Sequence, residues 1–365
     1  MTTRIKITCF ICSLSSGGAE HQLTELTRQL HDRGYGVTIT TFADVPDHYA
    51  CAEGISRIRL AENRSILRKI FAIFWYFIRL KTDVVISFGQ RENALCLLPL
   101  LFRRKITVIN GERNLTTGRS NKIEKLLVRW LYRRSNYIVS NSYSQRDNII
   151  SLAPHLESKT LTIINYLDTE LYVPSNNTSI NDPLRIGIFC RYAPQKNSER
   201  FAQALKILKD EGYNLEVNWY GNQTGKNGKP NDYFVQFQNM VCELGLEDML
   251  HLNNHVKSVN TLMHEFDAIC VPSLWEGFSN TIAEAISCGK PMLVSDVSDN
   301  SIMVKDGING YVFVPTDVDM IVEALKKFIT MSQTERDEMG KASRKRALEL
   351  FGANKFVDSY INLIE

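Results

Sequence analysis

Short apolar runs alternate with stretches of helical period along the whole chain. Ile5 to Cys12, Gly36 to Phe42, Asp83 to Phe88, Lys105 to Asn110, Tyr137 to Ser140 and Thr160 to Ile164 read as strands in the first half. Leu184 to Phe189, Glu216 to Tyr220, Leu250 to Asn253, Ala268 to Val271 and Met292 to Ser295 do so in the second. Strands that alternate with helices imply parallel, doubly wound sheets. A polar, poorly patterned segment from Pro174 to Pro183 separates the two series. The expectation is an α/β protein of two Rossmann-like domains, residues 1–180 and 181–350, with a closing helical stretch at 351–365.

The chain has 365 residues, a length that suits two domains. Its 44% hydrophobic and 23% charged residues are those of a soluble globular protein. No charge-free apolar run is long enough to span a bilayer. The opening MTTRIKITCFIC enters a strand pattern without a cleavage site, so no signal peptide is expected. Eight scattered cysteines point to a reduced, cytoplasmic interior. Cys9 and Cys12 have redox-like spacing but fall within a strand, which favours packing. The seven histidines form no metal-binding pattern, and no metal is expected.

Charge changes this picture more than composition does. Residues 1–180 hold 24 Lys+Arg against 15 Asp+Glu, and the remainder 19 against 25. A basic half signals an anionic partner. No nucleic-acid motif accompanies it, so an anionic membrane surface or a phosphorylated lipid is the expected partner, and nucleic acid is not. Ile66 to Leu80 is strongly amphiphilic, with Phe74, Trp75 and Phe77 flanked by Arg64, Arg68, Lys69, Arg79 and Lys81. Such a helix fits a membrane interface, and it fits equally a helix packed on the sheet with its cations exposed. Residues 64–81 and the second basic stretch, 122–134, are the candidate contact.

Candidate chemistry gathers between Pro272 and Pro291, PSLWEGFSNTIAEAISCGKP. A strand passes through a turn into a helix whose Ile282, Ala285 and Ile286 recur at i, i+3 and i+4. Free N–H groups at that helix start, at Ser279, Asn280 and Thr281 after Phe278, suit an anion. Glu276 precedes the helix and Glu284 lies within it; two carboxylates beside such a helix end suggest a nucleotide sugar. Thr281-x-x-Glu284 equally spells a capping box, which would confine Glu284 to its own helix. Arg191 and Lys196 stand on another strand-to-helix loop and could neutralise a diphosphate; solvated surface cations are the alternative. Gly17 and Gly18 occupy the first strand-to-helix turn, where the backbone can approach a ligand closely. Glu112 and Arg113 follow a strand in a polar loop, either as ligand contacts or simply paired with one another. Asp317 and Asp319 open a helix and are read as capping.

The frame PSxxEGFxNxxxEAxxCGxP, with Glu276 and Glu284 separated by seven residues, resembles the signature of the family 4 retaining glycosyltransferases of the GT-B fold. SGGAE around Gly17 and Gly18, Arg191-x-x-x-x-Lys196 and the Asp296 to Phe313 region resemble the same family. The resemblance implies two Rossmann-like domains facing across a cleft, with residues 351–365 crossing back to the first. It implies a metal-independent retaining hexosyl- or N-acetylhexosaminyltransferase using a UDP- or GDP-linked sugar and no cofactor. Arg191, Lys196 and Glu276 would serve catalysis. Glu284, Gly17, Gly18, residues 278–281 and, through backbone groups, Val256 would hold the donor. Where many relatives carry a histidine, this chain has Arg113, which could instead hold an acceptor phosphate. A lipid-linked or polysaccharide acceptor and a peripheral cytoplasmic place at the inner membrane face are what the basic first half and the resemblance together imply. A non-catalytic nucleotide-sugar-binding scaffold and a sugar-nucleotide epimerase are the rival readings.

Overall fold

Seven parallel strands build the first of two sheets: β1 (Lys6–Phe10), β2 (Gly36–Thr41), β3 (Ser56–Arg59), β4 (Val84–Phe88), β5 (Thr107–Glu112), β6 (Tyr137–Ser140) and β7 (Thr160–Thr162). They lie in the order β3-β2-β1-β4-β5-β6-β7, every pair parallel. The structure is a computed structural model that describes residues 4–15, 17–60, 62–113, 129–175, 181–225, 228–256, 258–352 and 354–365. Among the described residues, helices α1 (Gly18–Asp32), α2 (Ile66–Arg79), α3 (Gln90–Leu100) and α4 (Tyr143–Leu152) connect these strands. All five residues of β4 are buried, as expected of a strand covered on both faces. In α1, Leu23, Leu26 and Leu30 form the buried stripe.

The second sheet contains β8 (Leu184–Phe189), β9 (Leu215–Gly221), β10 (Leu250–Asn254), β11 (Ala268–Val271), β12 (Met292–Ser295) and β13 (Gly310–Phe313). Its order is β10-β9-β8-β11-β12-β13, again wholly parallel. Its helices are α5 (Ser198–Asp210), α6 (Asp232–Glu243), α7 (Val259–Leu262), α8 (Asn280–Ser287), α9 (Asn300–Met303), α10 (Val318–Ile329) and α11 (Gln333–Phe351). In each sheet the order of connection reverses once, between β1 and β4 and between β8 and β11. Open parallel sheets bind ligands outside the carboxyl ends of the strands at such a reversal.

The chain divides into two compact units, Met1–Tyr166 with Asn354–Glu365, and Leu167–Ala353. The last helix, α12 (Lys355–Ile364), belongs to the first unit. Its Phe356, Val357 and Tyr360 share a buried cluster with Leu23, Leu26 and Leu30. The break at Tyr166 precedes the expected boundary at 180 for a physical reason. Arg344 Nη1 donates to the carbonyls of Thr169 and Tyr172, at 3.0 and 2.9 Å, and Ser287 Oγ donates to that of Tyr172. These bonds fasten the segment after residue 166 to the second unit. Residues 176–180 of the expected linker lie outside the described residues.

Helix α2 buries Ile73 and Phe77, so it does pack on its sheet. What it leaves to solvent, however, is apolar as well as basic: Ile66, Leu67 and Phe71 are 76%, 80% and 65% exposed. Two of the expected membrane-facing cations are otherwise engaged. Lys69 pairs with Asp44 at 2.7 Å, and Arg134 donates to the carbonyls of Leu100, Arg103 and Ile106. Residues 122–128 lie outside the described residues. No helix among the described residues is long and apolar enough to cross a membrane. Cys9 is buried in β1, where burial pushes its thiol pKa up. Asp317 caps α10 by accepting from the backbone N–H groups of Asp319 and Met320.

Candidate active site

The loops that follow β8 and β11 flank the reversal in the second sheet, and they carry the main charged candidates. After β8 the chain runs through Arg191, the buried Tyr192 and a 3-10 turn, Pro194–Lys196. Asn197 then takes a left-handed conformation, φ 58°, and its Nδ2 donates to the carbonyl of Pro315 at 2.7 Å. The two loops are clamped together. Leu274 N donates to Gln195 O at 2.8 Å, and Gln195 Nε2 returns a bond to Trp275 O at 2.7 Å.

That clamp brings Lys196 and Glu276 into contact. Lys196 Nζ lies 2.5 Å from Glu276 Oε1, and Ser273 Oγ donates to the same oxygen at 2.6 Å. Ser298 Oγ donates to the Glu276 carbonyl. Glu276 is only 8% exposed, so it is no solvated turn residue. Arg191 is exposed, and no carboxylate among the described residues pairs with it. The same charges converge on the Cys190 thiol: burial raises its pKa to about 12, Glu276 adds to the rise, and Lys196 and Arg191 oppose it.

Helix α8 starts beside this pair. Its N-cap is Ser279, which makes no side-chain capping bond. The capping box spelled by Thr281 and Glu284 therefore does not form; Thr281 Oγ1 donates instead to Phe189 O at 3.1 Å. Ser279 thus supplies no side-chain cap to the first turn of α8. Ile282, Ala283, Ala285 and Ile286 are buried and seat the helix, while the Phe278 ring meets Phe351 edge-on at 6.1 Å. Glu284 is half-buried, and burial pushes its pKa up to about 7 against an opposing hydrogen bond from Tyr172. Val256, half-buried, follows β10, two strands further out. Its segment is tied back to the β8 loop because the Tyr192 hydroxyl reaches Asn253 O at 2.8 Å.

The remaining candidates belong to the first unit. Gly17 precedes α1 in extended conformation, where a Cβ would overlap the Glu20 carboxylate; Gly18 opens the helix. Ser16 lies outside the described residues. Glu112 ends β5 and accepts from the Tyr132 hydroxyl. Its burial raises its pKa to about 8. Arg113 turns away from it. Nη1 donates to Asn165 Oδ1 at 2.9 Å and Nη2 to Tyr360 Oη at 2.7 Å, with the guanidinium 3.9 Å from the Phe88 ring centroid. The two neighbours are thus not paired with one another. Burial lowers the Arg113 pKa, and its hydrogen-bonding side is turned to the first unit's own residues. Residues 114–121 of that loop lie outside the described residues.

Three participants escaped the sequence reading. Ser273 stands three residues before Glu276, and its place in the motif could have suggested it. Gln195 could have been noticed as the polar neighbour of Lys196. Tyr172 had no signal, because nothing in a linear pattern relates it to Glu284, 112 positions on.

Comparison with known proteins adds to this geometry. Residues 16–171 match the family described as Glycosyltransferase Family 4, and residues 175–346 match Glycosyl transferases group 1. The chain is 28% identical over 178 residues to the UDP-Gal:alpha-D-GlcNAc-diphosphoundecaprenol alpha-1,3-galactosyltransferase of Escherichia coli, covering 48% of this chain and 44% of that protein. It is 25% identical over 249 residues to the O-antigen chain mannosyltransferase RfbU of Salmonella typhimurium, covering 65% and 66%. The matched stretch thus spans under half the length of the first relative. HepE of Anabaena, solved with UDP, superposes with a TM-score of 0.81 at 18% identity, covering 98% of this chain and 99% of that one. Family matches that run with little interruption from residue 16 to residue 346, over two sheets shared with such solved structures, make this chain a member of glycosyltransferase family 4 with the GT-B fold.

Proposed function

We propose that the chain transfers a hexosyl or N-acetylhexosaminyl group from a UDP- or GDP-linked donor to a lipid-linked or polysaccharide acceptor, with retention at the anomeric carbon. The observation that carries this reading is the Lys196–Glu276 pair, clamped beside the start of α8, whose N-cap Ser279 makes no side-chain capping bond, with Arg191 exposed on the same loop and free of any carboxylate partner among the described residues. The difficult event in such a transfer is departure of a nucleoside diphosphate. Cations and backbone N–H groups fixed where that charge develops lower its barrier, because they need no reorganisation at the moment of reaction.

In this scheme Arg191 meets the diphosphate first, and Lys196 shares its charge as the bond to the sugar breaks. The N–H groups of residues 279–281 donate to the oxygens that carry the remaining negative charge. Glu276, held by Ser273 and Lys196, orients the sugar, and Glu284 accepts from the ribose hydroxyls. The cations take the role that a metal has in other transferases. Gly17 and Gly18 contribute backbone groups to the donor, Val256 contributes backbone contact to the base, and Glu112 belongs to the acceptor side. Arg113, bonded to Asn165 and Tyr360, acts through the packing of the first unit.

The activities that the relatives are named for support the acceptor class: one acts on a diphosphoundecaprenol-linked sugar, another on the O-antigen chain. HepE has been solved with UDP-glucose as well as UDP. The exposed apolar stripe of α2 supports peripheral contact with the inner face of a membrane.

A thermal-shift panel of UDP- and GDP-linked sugars tests the reading, since a ligand that binds only the folded state raises its stability in proportion to ln(1 + [L]/Kd). At least one donor should stabilise the protein and then be consumed with release of nucleoside diphosphate when membrane extract is added. Stabilisation without turnover would favour a binding scaffold. Conversion to an altered sugar nucleotide would favour an epimerase.

A further inference from the structure

A cavity of about 740 Å³ opens at the amino edge of the first sheet, opposite the strand ends at which Gly17 and Glu112 stand. It lies where β1, β2 and β3 begin, at Lys6, Gly36 and Ser56, and where α2 hands over to β4 through Arg79 and Lys81. Small-molecule sites occupy about 300–1,000 Å³, so a bare inorganic ion would leave most of this one unfilled.

Four cations line it: Arg4, Lys6, Arg79 and Lys81. His31 adds an imidazole, Thr38 and Ser56 add hydroxyls, and no aspartate or glutamate among the described residues joins them. None of the four cations pairs with a carboxylate among the described residues, whereas elsewhere on β3 and α2 Arg57 and Arg59 pair with Asp47 and Lys69 with Asp44. Asp83 accepts from the backbone N–H of Lys6, at 2.8 Å, and not from its ammonium. Arg79 ends α2, where the helix dipole favours a cation. Arg4, Lys6 and Lys81 belong to no helix, so that account does not extend to them. Like charges gathered in a cleft focus a positive potential into it. Two guanidinium forks and two ammonium groups suit a phosphate, which offers more acceptor oxygens than a carboxylate.

Continuity with α2 decides what carries the phosphate. Ile66, Leu67, Ile70, Phe71 and Trp75 are the exposed apolar residues of that helix, and Trp75, the last of them, is also a wall of the cavity. The Arg79 guanidinium stands 5.2 Å from the centroid of that ring. An apolar stripe that ends in a tryptophan and cations is the profile of a helix lying in a membrane interface, with the ring and the charges at headgroup level.

We propose that this cavity seats the glycerophosphate headgroup of an anionic phospholipid, held by Arg4, Lys6, Arg79 and Lys81 while the apolar stripe of α2 lies against the acyl surface. Placing the phosphate on a lipid rests on the membrane contact proposed for α2; the preference of the cavity for a phosphate does not.

Co-sedimentation of the full chain with vesicles of phosphatidylglycerol in phosphatidylcholine, at low salt, tests it. The native protein should bind. Arg79→Gln/Lys81→Gln should bind at least about tenfold more weakly than Arg64→Gln/Arg68→Gln, which removes the same charge outside the cavity. Glycerol 3-phosphate should displace the native protein further than sodium chloride does at matched ionic strength. All four replaced side chains are exposed, so both variants should melt with the native protein. Nucleotide-sugar stabilisation of the same samples should be unchanged, which reports separately on the donor site. Equal losses in the two variants, or displacement no greater than that by chloride, would overturn the site and leave diffuse charge attraction in its place. Saturable binding of glycerol 3-phosphate without vesicle binding would overturn the lipid assignment in favour of a free organic phosphate.

Discussion

Lys196 Nζ and Glu276 Oε1 stand 2.5 Å apart, with side chains only 12% and 10% exposed. The two residues come from loops on either side of the strand-order reversal, 80 positions apart in the chain. They form one electrostatic unit, because removing either leaves the other a nearly buried, uncompensated charge.

Coupling should therefore appear in kinetics. Lys196→Ala, Glu276→Ala and Arg191→Ala should each cut turnover by at least about a hundredfold. The Lys196→Ala/Glu276→Ala double variant should be little worse than the poorer single one, as expected of residues in contact. Steady-state kcat with the donor found by the thermal panel checks this. Near-normal rates in Arg191→Ala and Lys196→Ala, or fully additive losses in the double variant, would remove this pair from the leaving-group site.

Glu284 predicts a pH dependence with a definite sign. Its pKa in the folded protein is raised from 4.5 to about 7. Only the carboxylate can accept from two ribose hydroxyls, so donor affinity should fall roughly tenfold per pH unit below about 7. For stability the direction reverses. The folded state holds the proton more tightly than the unfolded chain, so the contribution is full below about 4.5 and is lost as pH rises through 7. Glu284→Gln should stabilise the free protein by about 1–3 kcal/mol at pH 8 and flatten the pH profile of binding. Calorimetric titration between about pH 5.5 and 8.5, with chemical unfolding at both ends, measures both effects.

Arg113 separates structural from ligand duties. Its bonds to Asn165 and Tyr360 and its stacking on Phe88 belong to the first unit. Arg113→Ala should cost about 2–4 kcal/mol of stability, because it opens a cavity and strands two buried partners. A variant with native stability and a raised acceptor KM would assign Arg113 to a ligand instead.

Membrane contact is testable through α2. Anionic liposomes should co-sediment the protein at low salt, and Phe71→Asp or Trp75→Ala should weaken that association several-fold. Binding that is absent at low salt, or indifferent to both substitutions, would leave α2 as an ordinary surface helix with an exposed apolar stripe.

Metal independence has its own measurement. Turnover should persist in EDTA, with magnesium adding little. Activity lost to the chelator and restored by magnesium would contradict the division of charge between Arg191 and Lys196.

The alternation of apolar runs made most strands legible, because a strand buried on both faces needs an unbroken apolar stretch. β3 was invisible for the opposite reason: Ser-Arg-Ile-Arg lies at the sheet edge and keeps most of its side chains in solvent. The charged residues of the candidate site were legible through their motif, but their pairing was not. Whether Glu284 capped its own helix or pointed elsewhere could not be read from spacing, since Thr-x-x-Glu spells a cap that only an N-cap at Thr281 would realise, and the N-cap is Ser279, two residues earlier. Arg113 lay beyond any local pattern. It is defined by a tyrosine 247 positions away.

Helix α12 carries a consequence for biosynthesis. Phe356, Val357 and Tyr360 are bricks of the first unit's core, yet the ribosome emits them only after the entire intervening unit. At about 5–20 residues per second, the nascent amino-terminal sheet waits on the order of ten to forty seconds for its missing wall. During that interval the part of the first unit's core that α12 covers stays open to water, and a holdase that shields it would raise the share of newly made chain that escapes aggregation.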